Sequence, residues 1–192
     1  MSLSWIIPKM GEEQLIEQLR SGDNKAFKEL IDLYRLQMIN LCYGFIRNQE
    51  DTEEIVQDVF IEVYRSICNF RGDSKLSTWM FRIAVSKSLN KVRKNKFKNM
   101  VSSIENIFEQ HSEKSTGLNP HQLMQAKEDA KMLNKAIDKL SENQRIAFVL
   151  HHYDGYSYLQ ISEIMNTSIS AVESLIHRAK VNLKNQLKNI KI

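Results

Sequence analysis

Glycine and proline are scarce in this chain of 192 residues, which holds six Gly and two Pro against roughly 7% and 5% in average proteins. That leaves too little turn material for a sandwich or a barrel of many short strands. Cysteine is scarcer still: two residues make no disulfide framework and fit a reducing cytosol. Apolar runs are all far shorter than the roughly 18 residues of a membrane span. The opening MSLSWIIPKM has an apolar patch of only Trp5, Ile6 and Ile7, too short for a secretory signal. What the chain has in quantity is apolar and charged side chains, 42% and 26%. That is enough to form a core and to exclude disorder over the whole length. The expectation is a cytoplasmic, all-α protein of one large or two small domains.

The formal net charge of +4 is weak evidence by itself, but its distribution is uneven. Between Arg47 and Arg65 there is no base, while Glu50, Asp51, Glu53, Glu54, Asp58 and Glu62 fall inside. From Ser74 to Ile104 there is no acid, while Lys75, Arg82, Lys87, Lys91, Arg93, Lys94, Lys96 and Lys98 are present. After Glu173 the chain is again free of acids and carries Arg178, Lys180, Lys184, Lys188 and Lys191. Two basic blocks and one acidic block suggest two polyanion contacts and a separate basic partner.

Apolar periodicity predicts helices over 12–20, 23–47 and 50–67, the second with Phe27, Leu30, Ile31, Tyr34, Met38, Leu41, Cys42 and Phe45 on one face. Arg71–Lys75, RGDSK, reads as a tight polar loop around Gly72, followed by a basic helix over 77–94 that buries Trp79, Ile83 and Leu89. From 97 to 118 the pattern fades into a Ser- and Asn-rich stretch, read as a flexible linker. Asn119 before Pro120 starts a helix to Leu140. Ser141 with Gln144 resembles a capping box for a helix to His152, and Ser157 with Gln160 another for a helix to Met165. A last helix runs from near Ser168 to Leu187. The domain expectation is an N-terminal extension over 1–22, a helical domain over 23–96, the linker over 97–119 and a second helical domain over 120–192.

Two places carry chemistry. The short helix, turn and long helix over 157–187 form a helix-turn-helix pattern, packed through Ile161, Ile164, Val172, Leu175, Ile176 and Ala179. Its second helix presents Ser170, Glu173, Ser174, His177, Arg178 and Lys180 outward, groups able to reach base edges and phosphates. The basic helix instead has aromatics at its entry, Phe70, Trp79 and Phe81; rings that stack on bases, beside cations that hold phosphates, suit a single strand. His151, His152 and Asp154 make a poor metal site, since adjacent helical side chains diverge and no third ligand is near. Cys42 and Cys68 read as buried, inert thiols. With no phosphate loop, nucleophile elbow or carboxylate pair, the reading is a protein without catalytic residues, metal or cofactor.

These segments together resemble a group IV (extracytoplasmic function) sigma factor of bacterial RNA polymerase. DTEEIVQDVFIEVY, from Asp51, resembles the region 2.1–2.2 helix that docks on the polymerase clamp helices. FRGDSKLSTWMFRIAVSKSLN, from Phe70, resembles regions 2.3–2.4, which melt and read the -10 element, and 140–180 resembles region 4, which reads the -35 element. The resemblance covers about 23–187 and implies two helical domains, a short linker in place of region 3, and no enzyme. It assigns core binding to Asp51, Glu54, Gln57 and Asp58. It assigns the -10 strand to Phe70, Arg71, Gly72, Asp73, Ser74, Lys75, Trp79, Arg82, Lys87, Asn90 and Lys91, and the -35 element to Ser168, Ser170, Ala171, Glu173, Ser174, His177, Arg178 and Lys180. Many members carry a base where Glu173 stands and an Arg where Leu175 stands, so promoter sequence does not transfer. The partners implied are polymerase core, duplex and melted promoter DNA, and an anti-sigma factor. A stand-alone helix-turn-helix regulator and an RNA-binding adaptor are the alternatives; the first would need a ligand or dimerisation module in place of the acidic and basic helices.

Overall fold

The computed structural model describes residues 11–102 and 120–188, with side chains over 11–97 and 128–188. Within them the chain forms α1 (Glu12–Arg20), α2 (Asn24–Ile46), α3 (Gln49–Ser66), a 3-10 turn (Ile67–Asn69), α4 (Leu76–Ser102), α5 (Pro120–Asp138), α6 (Glu142–His152), α7 (Tyr158–Met165) and α8 (Ile169–Lys188). No strand occurs among the described residues.

Local chemistry sets the helix ends. The Asp23 carboxylate accepts the Lys25 N–H at 2.7 Å and caps α2. Arg47 then takes a left-handed conformation, φ 57°, and the Asn48 side chain accepts the Asp51 N–H at 2.9 Å to start α3. Left-handed backbone costs a non-glycine residue roughly 1–2 kcal/mol. Here the Arg47 guanidinium is engaged, donating to the Asn134 carbonyl at 3.3 Å and facing Asp138 at 3.4 Å. The first turn of α4 is held from far away, where Leu76 N–H donates to Glu12 Oε1 at 2.6 Å. The acid supplies a partner to an otherwise orphaned donor and a charge that suits a helix N-terminus.

Helices α1–α4 enclose Leu30, Met38, Leu41, Val59, Val63, Leu76 and Met80, all fully buried. Helices α5–α8 enclose two patches. Ile161, Val172 and Ile176 belong to the main core, while Ala136, Ile137, Leu140, Phe148, Ala179 and Leu183 form a smaller one under α5. The main core runs through both helical units without a break. Phe81 of α4 lies 5.4 Å from the Tyr156 ring, and Val85 and Leu89 face Ile146 and Ile164 across a shared cleft. In α2 the chain passes so near α6 that a Cβ on Gly44 would stand 2.8 Å from Val149 Cγ1. Two helical domains are present as expected, but they are packed together.

Several expectations need correction. The stripe on α4 is not Trp79, Ile83 and Leu89 alone: Trp79 and Ile83 are half-buried, whereas Met80, Phe81, Ala84 and Val85 are buried. Phe81, Val85 and Leu89 recur every four residues and make a second apolar face, which meets the other unit. Helix α4 also runs on to Ser102, because KFKNMVS contains no Gly or Pro to stop it. The rest of the expected linker, and Asn119, lie outside the described residues. Ser141 makes no capping hydrogen bond; Gln144 instead accepts the Asn182 side-chain N–H at 3.0 Å. The box at Ser157 and Gln160 does form, at 3.3 and 2.8 Å. Cys42 is buried and its thiol pushed up to about 11 by burial, but Cys68 is exposed on the 3-10 turn.

The histidines beside the α6–α7 turn are used in packing: His151 Nδ1 lies 3.1 Å from the Tyr156 carbonyl, and His152 stacks on Phe148 at 5.2 Å. Between them and α7, burial pushes the Asp154 carboxyl up to about 7. Among the described residues its Oδ2 finds no hydrogen-bond partner. An unfolded Asp titrates near about 4, so the folded state binds the extra proton. Stability from this group is full below about pH 4 and lost as pH rises to about 7. Asp154→Asn is expected to raise Tm at pH 8 and to flatten the fall in Tm between pH 5 and 7. Thermal unfolding across that range checks it, and an unchanged profile would place the carboxylate in solvent.

Candidate nucleic-acid interface

The turn between α7 and α8 is built by Asn166 in a left-handed conformation, φ 49°, and by Thr167 N–H donating to the Ser162 carbonyl at 3.0 Å. Ser168 Oγ accepts the Ala171 N–H at 3.2 Å and caps α8. Val172, Ile176, Ala179 and Leu183 anchor the inner face of α8. Ser168, Ser170, Glu173, Ser174, His177, Arg178 and Lys180 are all exposed, and Ala171 is half-buried. Arg178 Nε donates to the Ser174 carbonyl one turn back at 3.3 Å, which lays its guanidinium along the helix.

The residues expected at the -10 strand divide by burial. Arg71, Gly72, Asp73 and Lys75 are exposed and Ser74 is half-buried, in a loop turned by Gly72 at φ 80°. Phe70 is buried beneath that loop, its ring 5.2 Å from Trp79. Its carbonyl accepts the Arg20 Nη2–H at 2.5 Å. Both rings therefore support the loop in this state. On α4, Asn90 is exposed, while Arg82 donates from Nη2 to the Glu163 carbonyl of α7 at 2.7 Å.

The acidic and basic blocks meet each other. Lys87 faces Glu62 at 3.5 Å, and Lys91 sits 2.6 Å from Glu54 and 2.9 Å from Asp51. Asp51 also accepts from Asn95 at 2.9 Å. Hydrogen bonds to Glu54 and then Asp51 hold the Lys91 ammonium above its ordinary range. The acidic face is thus partly neutralised within the chain, and a charge reversal at Asp51 and Glu54 disturbs the α3–α4 contact as well as any partner. Gln57 and Asp58 are exposed and Glu54 stays open along one edge.

A cleft of 610 Å³ separates the two reading surfaces, with Asp73, Ser74, Lys75 and Arg82 on one wall and Ser162, Glu163, Asn166 and Thr167 on the other. Sequence reasoning did not find Glu12, Arg20, Arg47 or Glu163. Each acts through a contact 64, 50, 87 or 81 residues away, and no local pattern announces such a pairing.

The arrangement matches known proteins over both units. The family model for Sigma-70 region 2 matches residues 30–98, and that for Sigma-70, region 4 matches 130–183. The chain is 30% identical over 179 residues to the ECF RNA polymerase sigma factor SigW of Bacillus subtilis, covering 91% of this chain and 96% of that protein. The chain belongs to the extracytoplasmic function sigma factors. It is also 31% identical over 183 residues to the ECF RNA polymerase sigma-E factor of Escherichia coli K12, covering 93% and 95% of the two chains. Among solved structures, CnrH in complex with the cytosolic domain of CnrY has the same fold, with a TM-score of 0.63 at 22% identity over 93% of this chain and 97% of that one. The sigma factor RpoE, solved with the anti-sigma factor NepR from Bartonella quintana, follows at 0.59 and 23% over 85% and 98%.

As a sigma factor, this chain is a promoter-specificity subunit of RNA polymerase and not an enzyme. Polymerase core and promoter DNA are its partners. The stand-alone regulator is not favoured, because region 2 occupies the place where such a protein would carry a ligand or dimerisation module. Among the described residues, no helix is long and apolar enough to cross a membrane.

Proposed function

We propose that the sigma factor divides its work among three surfaces and acts in the cytoplasm with polymerase. The α3 face at Gln57, Asp58 and the open edge of Glu54, with Asp51 behind it, docks on the clamp helices of the largest subunit. The Arg71–Lys75 loop with Arg82, Lys87, Asn90 and Lys91 takes the melted non-template strand of the -10 element, over a floor made by Phe70 and Trp79. Helix α8 enters the major groove of the -35 element. An anti-sigma factor, the partner named for RpoE, is the expected regulator.

The observation that carries this reading is α8 itself: its apolar positions are buried while Ser170, Glu173, Ser174, His177 and Lys180 share one exposed face. Lys180 and Arg178 suit phosphates, which position without reading sequence. Glu173, Ser174 and His177 suit base edges, where a good contact discriminates by roughly 1–3 kcal/mol. Transcription by core plus this factor from a promoter library randomised over the -35 element tests it. Glu173→Ala is expected to change the preferred sequence with little change in total output. Lys180→Ala is expected to lower output on all promoters alike and to reduce the salt dependence. The opposite pattern would exchange the two roles.

A further inference from the structure

Phe97 is the most exposed aromatic among the described residues, with 67% of its surface open. It stands toward the C-terminal end of α4, inside the stretch from Ser74 to Ile104 that holds no acid. An exposed ring forgoes the gain of burial, and helix propensity does not call for Phe there, since Lys, Gln or Ala would favour α4 more. Its neighbours one turn back are Arg93 and Lys94, both exposed. Arg93 is paired with Glu142, whereas Lys94 has no partner among the described residues.

The side of the helix matters as much as the exposure. At 3.6 residues per turn, Phe97 falls in line with Trp79, about five turns and roughly 27 Å away. Ile83, Ser86, Asn90, Arg93 and Lys94 come between them on the same side; Ser86 and Asn90 are exposed and Ile83 is half-buried. This side is distinct from the stripe of Phe81, Val85 and Leu89, which is buried. The line begins where Trp79 and Phe70 support the Arg71–Lys75 loop and ends at Phe97, with an aromatic at each end. An unpaired base offers a face on which a ring can stack, and cations beside the ring hold the phosphates. A duplex hides those faces between its base pairs.

We propose that Phe97 is a stacking platform for a base of single-stranded DNA, with Lys94 on the adjoining phosphate. The base belongs to the strand that α4 carries past the -10 loop. That identity of the strand rests on the function proposed above; the stacking itself does not. At roughly 3.4 Å per nucleotide, the line from Trp79 to Phe97 takes about eight nucleotides.

The test is fluorescence anisotropy of the full-length factor on a fluorescein-labelled 20-nucleotide strand of mixed sequence, alone and annealed to its complement. Phe97→Ala is expected to weaken single-strand binding about fivefold or more, the loss of one base stack. Duplex binding and thermal unfolding are expected to stay as in the wild type. Phe97→Trp is expected to bind the strand at least as tightly as the wild type. Phe97→Leu is expected to bind as weakly as the alanine variant, since leucine keeps the apolar bulk and lacks the ring. The salt dependence is expected to be unchanged in Phe97→Ala and shallower by about 0.7 in Lys94→Ala, one phosphate contact on a single strand.

A leucine variant that binds like the wild type, or equal losses on strand and duplex, would overturn the stacking. Weaker binding from Lys87→Ala and Asn90→Ala, with none from Phe97→Ala, would leave the -10 reading of α4 standing and remove the platform. Weaker binding from Phe97→Ala, with none from Lys87→Ala, Asn90→Ala or exchange of residues 71–75, would keep the platform and overturn the -10 reading.

Discussion

Asp58→Lys is expected to weaken binding to polymerase core by about tenfold or more, a loss of ~1.4 kcal/mol, while leaving the Tm within error of wild type. Asp58 is exposed on α3 beside Gln57, and the apolar residues that hold the helix, Ile55, Val56, Val59, Phe60 and Val63, lie on its other side. Asp51→Lys is expected to lose core binding and stability together. Its carboxylate accepts from Asn95 and pairs with Lys91, so the reversal sets two cations face to face across α3 and α4. Comparing the two variants separates a docking charge from a structural one, which a triple reversal would blend. The measurement is core affinity by fluorescence anisotropy at two salt concentrations, beside thermal unfolding of the free factor. A docking charge on the rim acts mostly through association and is screened by salt. An Asp58→Lys variant with wild-type affinity would move the docking surface off this face of α3.

The helices were legible in the sequence because each has its own apolar period and end signals within a few residues. Asp23 before α2 and the Ser157 and Gln160 pair before α7 satisfy backbone donors two or three positions away, a distance at which a pattern is visible. The exposed face of α8 was legible for the same reason, since burial of Val172, Ile176 and Ala179 at helical spacing leaves the other positions outward. What was not legible is how the units meet. Phe81, Val85 and Leu89 form a stripe as regular as any, but α4 is apolar on more than one side, and periodicity does not say which stripe has a partner. Charge blocks were misleading in a related way. Asp51 with Lys91 and Glu62 with Lys87 look in the sequence like two surfaces for two partners, whereas in space α3 lies along α4 and they pair. Phe70 and Trp79 show the limit for single residues. An aromatic beside cations suits a stacked base, but these two rings pack on each other under the loop.

Exchanging residues 71–75 for the loop of another sigma factor of this group is expected to change which base is favoured at one -10 position, by a factor corresponding to roughly 1–3 kcal/mol. Promoter opening takes a base out of the stack at a cost of a few kcal/mol. With no nucleotide hydrolysis assigned to this subunit, contacts to the displaced strand have to offset that cost. The loop has the shape and the side chains for such contacts. Gly72 turns it at φ 80°, Arg71, Asp73 and Lys75 are exposed, and Asp73 is the side chain best able to read a base edge. The exchange leaves its supports in place. Phe70 stays buried against Trp79 with its carbonyl on Arg20, and Leu76 stays fixed to Glu12, so fold and core binding are expected to hold. Transcription from a library with one randomised -10 position, original loop against exchanged loop, gives the comparison directly. Identical base preferences would show that the flipped base is read by α4, from Arg82, Lys87 and Asn90, and that the loop only carries the strand past it.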